Sequence, residues 1–290
     1  MRRLRHPNLL RLLEVVRDQQ MLYLVLEYVE GSLHEWVRSM TVPPHENLVR
    51  GVTRRLLLAT AHMHKHGFVH RDIKPMNVLV AGVDDETGQC LKLKLADFGT
   101  ARELHTATQG TQPLTPYVST RWYRAPEVLL RATGYAMPVD LWAVGLIVAE
   151  VYSLRPLFPG TSEIDQVDRM VAVLGPPQDG MLSTYAWPYG SQLLKQWQQQ
   201  QEHDVPRSRP VPLGSLVPRA CAQGIGLVCS LVRWDPERRL TAHQALRHPF
   251  VTESAMDGLR LLSLRIRSAL ARWAGRGRMA ISSAAAASVD

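Results

Sequence analysis

One polar run, residues 70–77 with the sequence His-Arg-Asp-Ile-Lys-Pro-Met-Asn, constrains this chain more than any other part of it. Asp97 follows Asp72 by 25 residues, and two strand-like apolar runs lie between them. Because the acidic, turn-rich residues 84–88 separate the two runs, we expect a β-hairpin that brings Asp97 close to Asp72 and Asn77. Carboxylate and amide oxygens beside a lysine suit Mg²⁺ and a transferred phosphate better than zinc.

These residues resemble two motifs of eukaryotic protein kinases: residues 70–77 resemble the catalytic loop, and Ala-Asp-Phe-Gly at 96–99 resembles the metal-binding loop. The resemblance implies ATP-dependent phosphorylation of protein serine or threonine residues with Mg²⁺, in which catalysis is mainly positioning and charge stabilisation. It implies that Asp72 accepts the proton of the substrate hydroxyl and that Lys74 faces the transferred phosphate. Asn77 and Asp97 would hold the metal. The alternative, a chance match in an ordinary α/β domain, is disfavoured by two motifs in the right order.

The fold that the resemblance implies is α+β, a protein-kinase-like fold with a truncated N-lobe of two strands and a complete, mainly helical C-lobe. Strand-like runs at residues 9–16 and 21–27 supply the two strands. The expected divisions are 1–30 for the remnant of the N-lobe and the hinge, 31–251 for the C-lobe, and 252–290 for a basic, alanine-rich C-terminal tail.

The second strand leads into the ATP-binding residues that the resemblance implies. Leu26 would be the gatekeeper beside the adenine pocket, and the backbone of Glu27 and Val29 would hydrogen-bond to the adenine edge. Leu79 would form the floor of the pocket. Leu26 and Leu79 could equally be ordinary core residues, since an apolar side chain can serve both purposes.

The glycine-rich phosphate loop and the strand lysine of protein kinases should precede residue 4, and the 290 residues contain neither. The pairs at Gly224 and Gly226 and at Gly275 and Gly277 lack a third glycine and a preceding strand. We therefore expect Met1 to be an internal methionine of a longer kinase. The alternative function is a non-catalytic, kinase-like binding module, because a chain without the glycine-rich loop and the strand lysine lacks phosphate contacts that stabilise the transition state.

Hydrophobic periodicity predicts helices at residues 33–40 and 47–66, and an apolar run predicts a buried helix at 139–154. By resemblance, Asp140 in the buried helix accepts backbone N–H groups of the catalytic loop, since an unpaired buried carboxylate would be costly. Glu127 and Arg239 would form a buried ion pair. Three histidines near the end of the second helix are interpreted as structural rather than as metal ligands: His62, His64 and His66.

Residues 115–127 resemble the end of the activation segment in the CMGC group, which contains the cyclin-dependent and MAP kinases. Thr115 and Tyr117 resemble a dual phosphorylation site, so an upstream activating kinase is an expected partner. Each phosphate would need arginines to order the segment. The arginines in question are Arg71 and Arg102 for Thr115, and Arg121 and Arg124 for Tyr117. The alternative is that both residues are unmodified.

Arg124 is typical of kinases that accept a proline after the phosphoacceptor, so proteins with Ser/Thr-Pro sites are the expected substrates. Residues 154–177 narrow the resemblance to the male-germ-cell-associated-kinase-like subfamily, which is linked to cilia and flagella. Three cysteines without framework or metal spacing fit a reducing compartment. We expect a cytoplasmic location, with a cilium, a flagellum or the nucleus as alternatives.

The formal charge of +8 favours acidic partners, but much of the excess lies in the tail and no nucleic-acid motif accompanies it. We therefore expect no nucleic-acid partner. Four apolar tail residues share one helical face, in a basic amphipathic pattern that could contact an anionic membrane: Leu262, Ile266, Leu270 and Trp273. Packing on the protein's own domain, followed by a disordered end, is the alternative.

Overall fold

The computed structural model of this protein describes residues 3–84, 89–104, 121–132, 136–178, 190, 192, 194–197, 199 and 210–252. Thr115, Tyr117, the hairpin tip at 85–88 and the tail from residue 253 lie outside the described residues. The described part consists of a small β-hairpin unit followed by a larger, mainly helical body. This arrangement confirms the α+β, kinase-like fold that the sequence predicts.

Short antiparallel sheets make up the β-structure of the described residues. The strands are β1 Leu12–Asp18, β2 Met21–Leu26, β3 Gly31–Ser32, β4 Phe68–Val69, β5 Val78–Asp84, β6 Gln89–Leu95 and β7 Arg102–Glu103. β1 pairs with β2, β5 lies between β3 and β6, and β4 pairs with β7. The predicted hairpin between the two motifs is therefore confirmed as β5–β6.

Helices form the body of the molecule. They are α1 Leu33–Ser39, α2 Glu46–Lys65, α3 Pro126–Leu129, α4 Pro138–Ser153, α5 Glu163–Leu174, α6 Leu213–Leu216, α7 Ala222–Leu231 and α8 Ala242–Leu246, with 3₁₀ turns at Pro75–Asn77, Phe98–Thr100, Arg121–Tyr123 and Pro236–Arg238. The helices predicted at 33–40, 47–66 and 139–154 are confirmed as α1, α2 and α4.

α2 leads the chain to the catalytic loop, so the place where it ends matters. Apolar side chains recur at helical spacing along α2, and Leu56, Leu57 and Met63 are fully buried. The helix ends at Lys65, and Gly67 follows with φ +77°, a left-handed conformation that glycine adopts without steric cost. β4 follows directly after Gly67, and His70, the first residue of the predicted catalytic loop, comes directly after β4.

The first strand begins later than the apolar run at residues 9–16 predicts. Leu9 forms an isolated parallel bridge with Leu95, and the N–H of Leu10 donates to the carbonyl of Leu95 at 2.9 Å. Leu9 and Leu10 are both buried, so they attach the chain to the end of β6 and do not form part of β1. β1 starts at Leu12 and pairs with β2 through a turn at residues 19 and 20.

α4 is the centre of the hydrophobic core. All its residues from 139 to 152 are buried, and the helix packs against α2 on one side and α7 on another. A helix that is apolar all round belongs in the interior, which is the physical reason why the sequence predicts this helix so clearly. It provides a rigid base beneath the loops described next.

Candidate active site

The β5–β6 hairpin brings the two sequence motifs together. Val78 lies opposite Leu95, so the residue before β5 and the residues after β6 are neighbours. The N–H of Ala96 donates to the carbonyl of Asn77 at 2.8 Å across the end of the hairpin. Residues distant in sequence thereby reach the same edge of the sheet, where Asp97 follows directly after Ala96.

Asp72, Lys74 and Asn77 form one hydrogen-bonded group. The Nζ of Lys74 lies 2.7 Å from Oδ2 of Asp72, and the Nδ2 of Asn77 donates to the same oxygen at 3.0 Å. Nδ2 of Asn77 also lies 2.8 Å from the backbone carbonyl of Asp72. The carboxylate is therefore held in one orientation by two donors, one of them charged, which is a strong type of hydrogen bond.

Asp140 holds the start of the catalytic loop from below. Its Oδ2 accepts from the N–H of His70 at 2.9 Å, and its Oδ1 accepts from the N–H of Arg71 at 2.9 Å. The ring of His64 on α2 adds a third contact, with Nε2 2.8 Å from Oδ2. Burial alone would raise the pKa of this carboxyl, but His64 and the N–H of His70 outweigh burial and hold the pKa below its usual value.

His70 and Thr100 join residues 70–77, the predicted catalytic loop, to residues 96–99, the predicted metal-binding loop. Nε2 of His70 lies 2.9 Å from the carbonyl of Ala96, and the hydroxyl of Thr100 donates to the carbonyl of His70 at 2.9 Å. The His70 ring also packs against Phe98, with 5.5 Å between the ring centroids. Burial lowers the pKa of His70, which favours the neutral ring at pH 7.

Asn77 and Asp97 fit the ligand chemistry of Mg²⁺. The amide nitrogen of Asn77 is directed at Asp72, so its oxygen is the atom of that amide left to act as a metal ligand. Asp97 adopts a left-handed conformation, φ +60°, and its Oδ1 accepts from the N–H of Gly99 at 3.3 Å. The described residues contain no group of three or more His, Cys, Asp or Glu side chains placed to hold a metal. Two protein oxygens suit Mg²⁺, which completes its shell with water and phosphate oxygens.

The residues predicted to bind adenine lie where β2 meets the body. The N–H of Glu27 donates to the carbonyl of Arg11 at 3.0 Å, so an adenine contact at Glu27 would have to use its carbonyl. Leu79 is half-buried between buried residues 78 and 80, which places it on the opposite face of the sheet. Leu26 is 38% exposed and Val29 follows it in an irregular segment.

A small, open cavity lies beside Asp72 and is lined in part by residues 123–125 and 128. Its walls include Arg71, Asp72, Tyr123, Arg124 and Ala125 from the two loops, and Val128, Val139 and Ala143 from the helices. Two of the four arginines predicted to bind phosphate therefore share one cavity with the candidate base.

The other two predicted arginines point to different parts of the structure. Arg121 donates to the carbonyl of Thr161 at 2.8 Å, and Arg102 lies on β7 opposite Val69. Arg71 has φ +71° and its Nε donates to the carbonyl of Thr100 at 2.6 Å. The structure thus groups Arg71 and Arg124 but does not place all four arginines in one cluster.

Glu127 and Arg239 form a two-pronged ion pair in the interior. The two guanidinium nitrogens lie 2.6 and 2.7 Å from the two carboxylate oxygens, and both side chains are almost fully buried. Arg239 also donates to the carbonyls of Arg233, Trp234 and Pro138 and stacks over the Trp142 ring at 5.1 Å. With its donors satisfied in this way, the buried charge becomes tolerable.

Sequence reasoning missed three contacts that hold the site together. The sequence indicates only a structural role for His64, whereas in the structure its ring supports Asp140, a residue 76 positions later in the sequence. The ring of His70 and the hydroxyl of Thr100 link the two loops. Each of these contacts joins residues at least 26 positions apart, so the sequence carries no local signal for any of them.

A family model described as the protein kinase domain matches residues 1–251 of this chain. Serine/threonine-protein kinase MAK of Mus musculus is 42% identical over 250 residues, which cover 86% of this chain and 37% of that relative. Serine/threonine-protein kinase ICK of Rattus norvegicus is 43% identical over 250 residues, with the same two coverages. Cyclin-dependent kinase F-3 of Oryza sativa subsp. japonica is 41% identical over 250 residues, covering 86% of this chain and 53% of that relative.

The chain therefore spans just over a third of the length of the two animal relatives. Among the described residues, no helix is both long enough and apolar enough to cross a membrane.

Proposed function

This chain belongs to the protein kinase family, and from that premise we propose that it transfers the terminal phosphoryl group of ATP to serine or threonine hydroxyls of protein substrates. The family that the two motifs indicated is confirmed by the match over residues 1–251 and by the CMGC relatives. The observation that carries the proposal is the convergence of Asp72, Lys74, Asn77 and Asp97 at the end of one hairpin.

Asp72 is the proposed base. Its carboxylate lies at the open cavity, and Lys74 and Asn77 both bind Oδ2, so the side chain cannot rotate freely. A substrate hydroxyl that approaches Asp72 would pass its proton to the carboxylate as its oxygen bonds to the terminal phosphorus of ATP and the bond from that phosphorus to the departing ADP breaks. Lys74 carries a positive charge beside this position and would stabilise the negative charge of the transferred group.

Mg²⁺, held by the amide oxygen of Asn77 and the carboxylate of Asp97, would neutralise phosphate charge when bound. The protein's own part is to fix these two ligands. Asn77 is held by Asp72, and Asp97 is fixed by its left-handed backbone and by the bond to Gly99. His70 and Thr100 maintain the distance between the two loops that carry the ligands.

The test is phosphoryl transfer by the 290-residue chain with Mg²⁺, ATP and a mixture of Ser/Thr peptides. We expect transfer that falls by roughly 10²- to 10⁴-fold in Asp72→Asn and in Asp97→Asn, the range typical of losing a positioned acid–base or charge-stabilising group. The control Asp18→Asn changes an exposed carboxylate at the end of β1 and should leave transfer unchanged. Absence of transfer, or transfer that persists in Asp72→Asn, contradicts the proposal and leaves the non-catalytic binding module.

We also propose the finer assignments that rest on resemblance. The position of Arg124 at the cavity beside Asp72 supports recognition of Ser/Thr-Pro sites in substrates. Arg71 lies at the same cavity, which supports the proposal that it binds the phosphate that an upstream kinase places on Thr115. The divisions 1–30, 31–251 and 252–290, and a ciliary or flagellar location, stay predictions. Phosphorylation at Thr115 and Tyr117 should raise activity, which mass spectrometry and transfer assays on the same samples would measure.

A further inference from the structure

Three histidine rings lie side by side where the first described residues meet α2. The ring centroids of His6 and His62 are 4.8 Å apart, and those of His62 and His66 are 4.3 Å apart. His6 and His62 are half-buried, and Nε2 of His62 is buried without a hydrogen-bond partner in the described part of the chain. Such a cluster packs well while its rings are neutral and becomes costly when they acquire charge.

The ring of His6 accepts a hydrogen bond that a protonated ring cannot accept. The backbone N–H of Asn8 donates to Nδ1 of His6 at 3.1 Å. A backbone amide nitrogen can only donate, so Nδ1 carries no proton in this arrangement and the proton of the neutral ring is on Nε2. A second proton must therefore bind at Nδ1, where it would set two N–H groups against each other and break the bond to Asn8.

Residues 6–10 form a latch on the last residues of β6. The side-chain amide of Asn8 donates to the carbonyl of Leu93 at 3.0 Å, and the backbone carbonyl of Asn8 accepts from the N–H of Leu95 at 2.8 Å. Leu95 is the last residue of β6 and lies two positions before Asp97, the candidate metal ligand. A change in the bond at residue 6 therefore reaches, through Asn8, the strand that leads to Asp97.

The charged groups on the elements around the cluster are cations or already have partners. They are Lys65 on α2, His64 on α2 with its partner Asp140, Lys94 on β6 with its partner Glu27, and Glu103 on β7 with its partner Arg3. Among the described residues, no carboxylate bonds to any of the three rings, so a proton added to one ring is not neutralised. Burial lowers the pKa of His6 and that of His62, and in each case a neighbouring histidine and a lysine lower it further.

We propose that the three histidines make the latch pH-sensitive, so that it is closed while His6 is neutral and leaves β6 when His6 takes up a proton at Nδ1. Release exposes the charged ring to water and removes its repulsion from the ring of His62. Because a released ring binds a proton more readily than a packed one, the latch is fully closed above the usual histidine pKa of about 6.5 and opens as the pH falls below it. The proposal does not depend on the kinase function, since it concerns only the attachment of the latch.

The test is hydrogen exchange of the 290-residue chain, followed by mass spectrometry at pH 7.5, 6.5 and 5.5. Rates are corrected for the pH dependence of exchange in an unstructured amide and expressed relative to the amides of α4, which report global unfolding. In the wild-type protein, protection of the amides of residues 8–10 and of Leu95 should fall about two- to tenfold from pH 7.5 to pH 5.5. This is the range expected from the loss of one hydrogen bond.

His6→Asn separates the hydrogen bond from the proton. An asparagine side-chain oxygen can accept from the N–H two residues later, as Nδ1 of His6 does, but it takes up no proton in this pH range. Protection of residues 8–10 should therefore not change with pH in His6→Asn. His45→Asn is the matched control, because Nδ1 of His45 accepts from the N–H of Asn47 at 3.2 Å, also two residues later, at the exposed start of α2. It should retain the wild-type pH dependence.

His62→Phe tests the repulsion within the cluster. It keeps an aromatic ring beside His6 but removes the neighbouring charge, so protection of residues 8–10 should fall less at pH 5.5 than in the wild type. Protection that does not change with pH in the wild type, or that falls equally in the wild type and His6→Asn, would overturn the proposal. If His6→Asn does not fold, as thermal unfolding would reveal, His62→Phe decides the matter, and a fall as large as that of the wild type overturns it.

Discussion

At the scale of single residues, Asp140 shows how a buried charge is made tolerable and useful. Its two oxygens receive the N–H groups of His70 and Arg71 and the ring of His64. Arg71 needs such support because its φ of +71° is unfavourable for a side chain of its size. The carboxylate thus holds a strained turn directly before Asp72, in line with the idea that strain at a site persists only where neighbours enforce it.

Removing His64 should therefore weaken this turn. We expect His64→Ala to lower the free energy of unfolding at pH 7 by about 1–3 kcal/mol, the cost of leaving a buried partner unsatisfied. The folded protein holds the pKa of the Asp140 carboxyl below its usual value. The ionised carboxylate therefore stabilises the fold fully at pH values above the pKa that Asp140 has in the unfolded chain, and this stabilisation is lost as the pH falls through the pKa that it has in the folded protein. Without His64 the folded pKa rises, and the loss should begin at a higher pH. Urea unfolding between pH 7 and pH 4 measures both effects.

His62→Ala is the matched control, because His62 lies one half-turn away on α2 and its ring nitrogen Nε2 has no hydrogen-bond partner among the described residues. Because burial lowers the pKa of His62, removing its ring should reduce the acid-induced loss of stability or leave it unchanged, and should not move it to a higher pH. If the free energy of unfolding of His64→Ala decreased with falling pH over the same range as that of the wild type, the bond from His64 to Asp140 would not set the pKa of that carboxyl.

At the scale of secondary-structure elements, a close approach at Gly145 brings α4 and α7 together. A Cβ at this position would lie 2.7 Å from Cγ2 of Val232 and 2.9 Å from Cβ of Leu231. Gly51 on α2 differs, since a Cβ there would meet only the end of the flexible Arg55 side chain, at 3.2 Å. Alanine at Gly51 therefore tests helix propensity alone, whereas alanine at Gly145 tests propensity together with packing against α7.

We expect opposite results for alanine at these two glycines. Gly51→Ala should raise the free energy of unfolding by about 0.5–1 kcal/mol, because alanine restricts the unfolded chain more than glycine does. Gly145→Ala should lower it by about 1–2 kcal/mol, because overpacking against α7 exceeds the same gain in propensity. Urea denaturation of the two variants measures the difference. A Gly145→Ala variant as stable as Gly51→Ala would mean that α4 and α7 can separate at little cost.

The elements also show what sequence can predict and where it fails. α2 and α4 were predictable because their signals, a periodic apolar face and an uninterrupted apolar run, are local. The start of β1 was predicted three residues early, because Leu9 and Leu10 have strand-like character but are buried against Leu95. Asp72, Asn77 and Asp97 can be proposed as site residues from the sequence because each lies in a contiguous motif. The bonds of His64 and Thr100 join residues 76 and 30 positions away, and no local pattern reports such contacts.

At the scale of the whole molecule, two antiparallel hairpins of the same chain have different surroundings. The β5–β6 hairpin buries Val78, Val80, Leu93 and Leu95 in the body. In β2, by contrast, all six residues are exposed, from 38% for Leu26 to 63% for Leu22. The contacts between the end of the β1–β2 unit and the body include an ion pair from Glu27 to Lys94, with 2.7 Å between Oε1 and Nζ.

This contrast predicts unequal local stability in the 290-residue chain. Both hairpins have paired backbone groups, but a two-stranded sheet without a buried face is marginal in water, so β1–β2 should open far more often than β5–β6. Hydrogen exchange followed by mass spectrometry should give β5–β6 amides at least about tenfold greater protection than those of β1–β2, with α4 the most protected of all. The β5–β6 hairpin serves as the internal control for strand pairing. Equal protection of the two hairpins would show that a further surface covers the apolar side chains of β2 in solution, and a comparison at two protein concentrations would then reveal whether a second copy of the chain provides it.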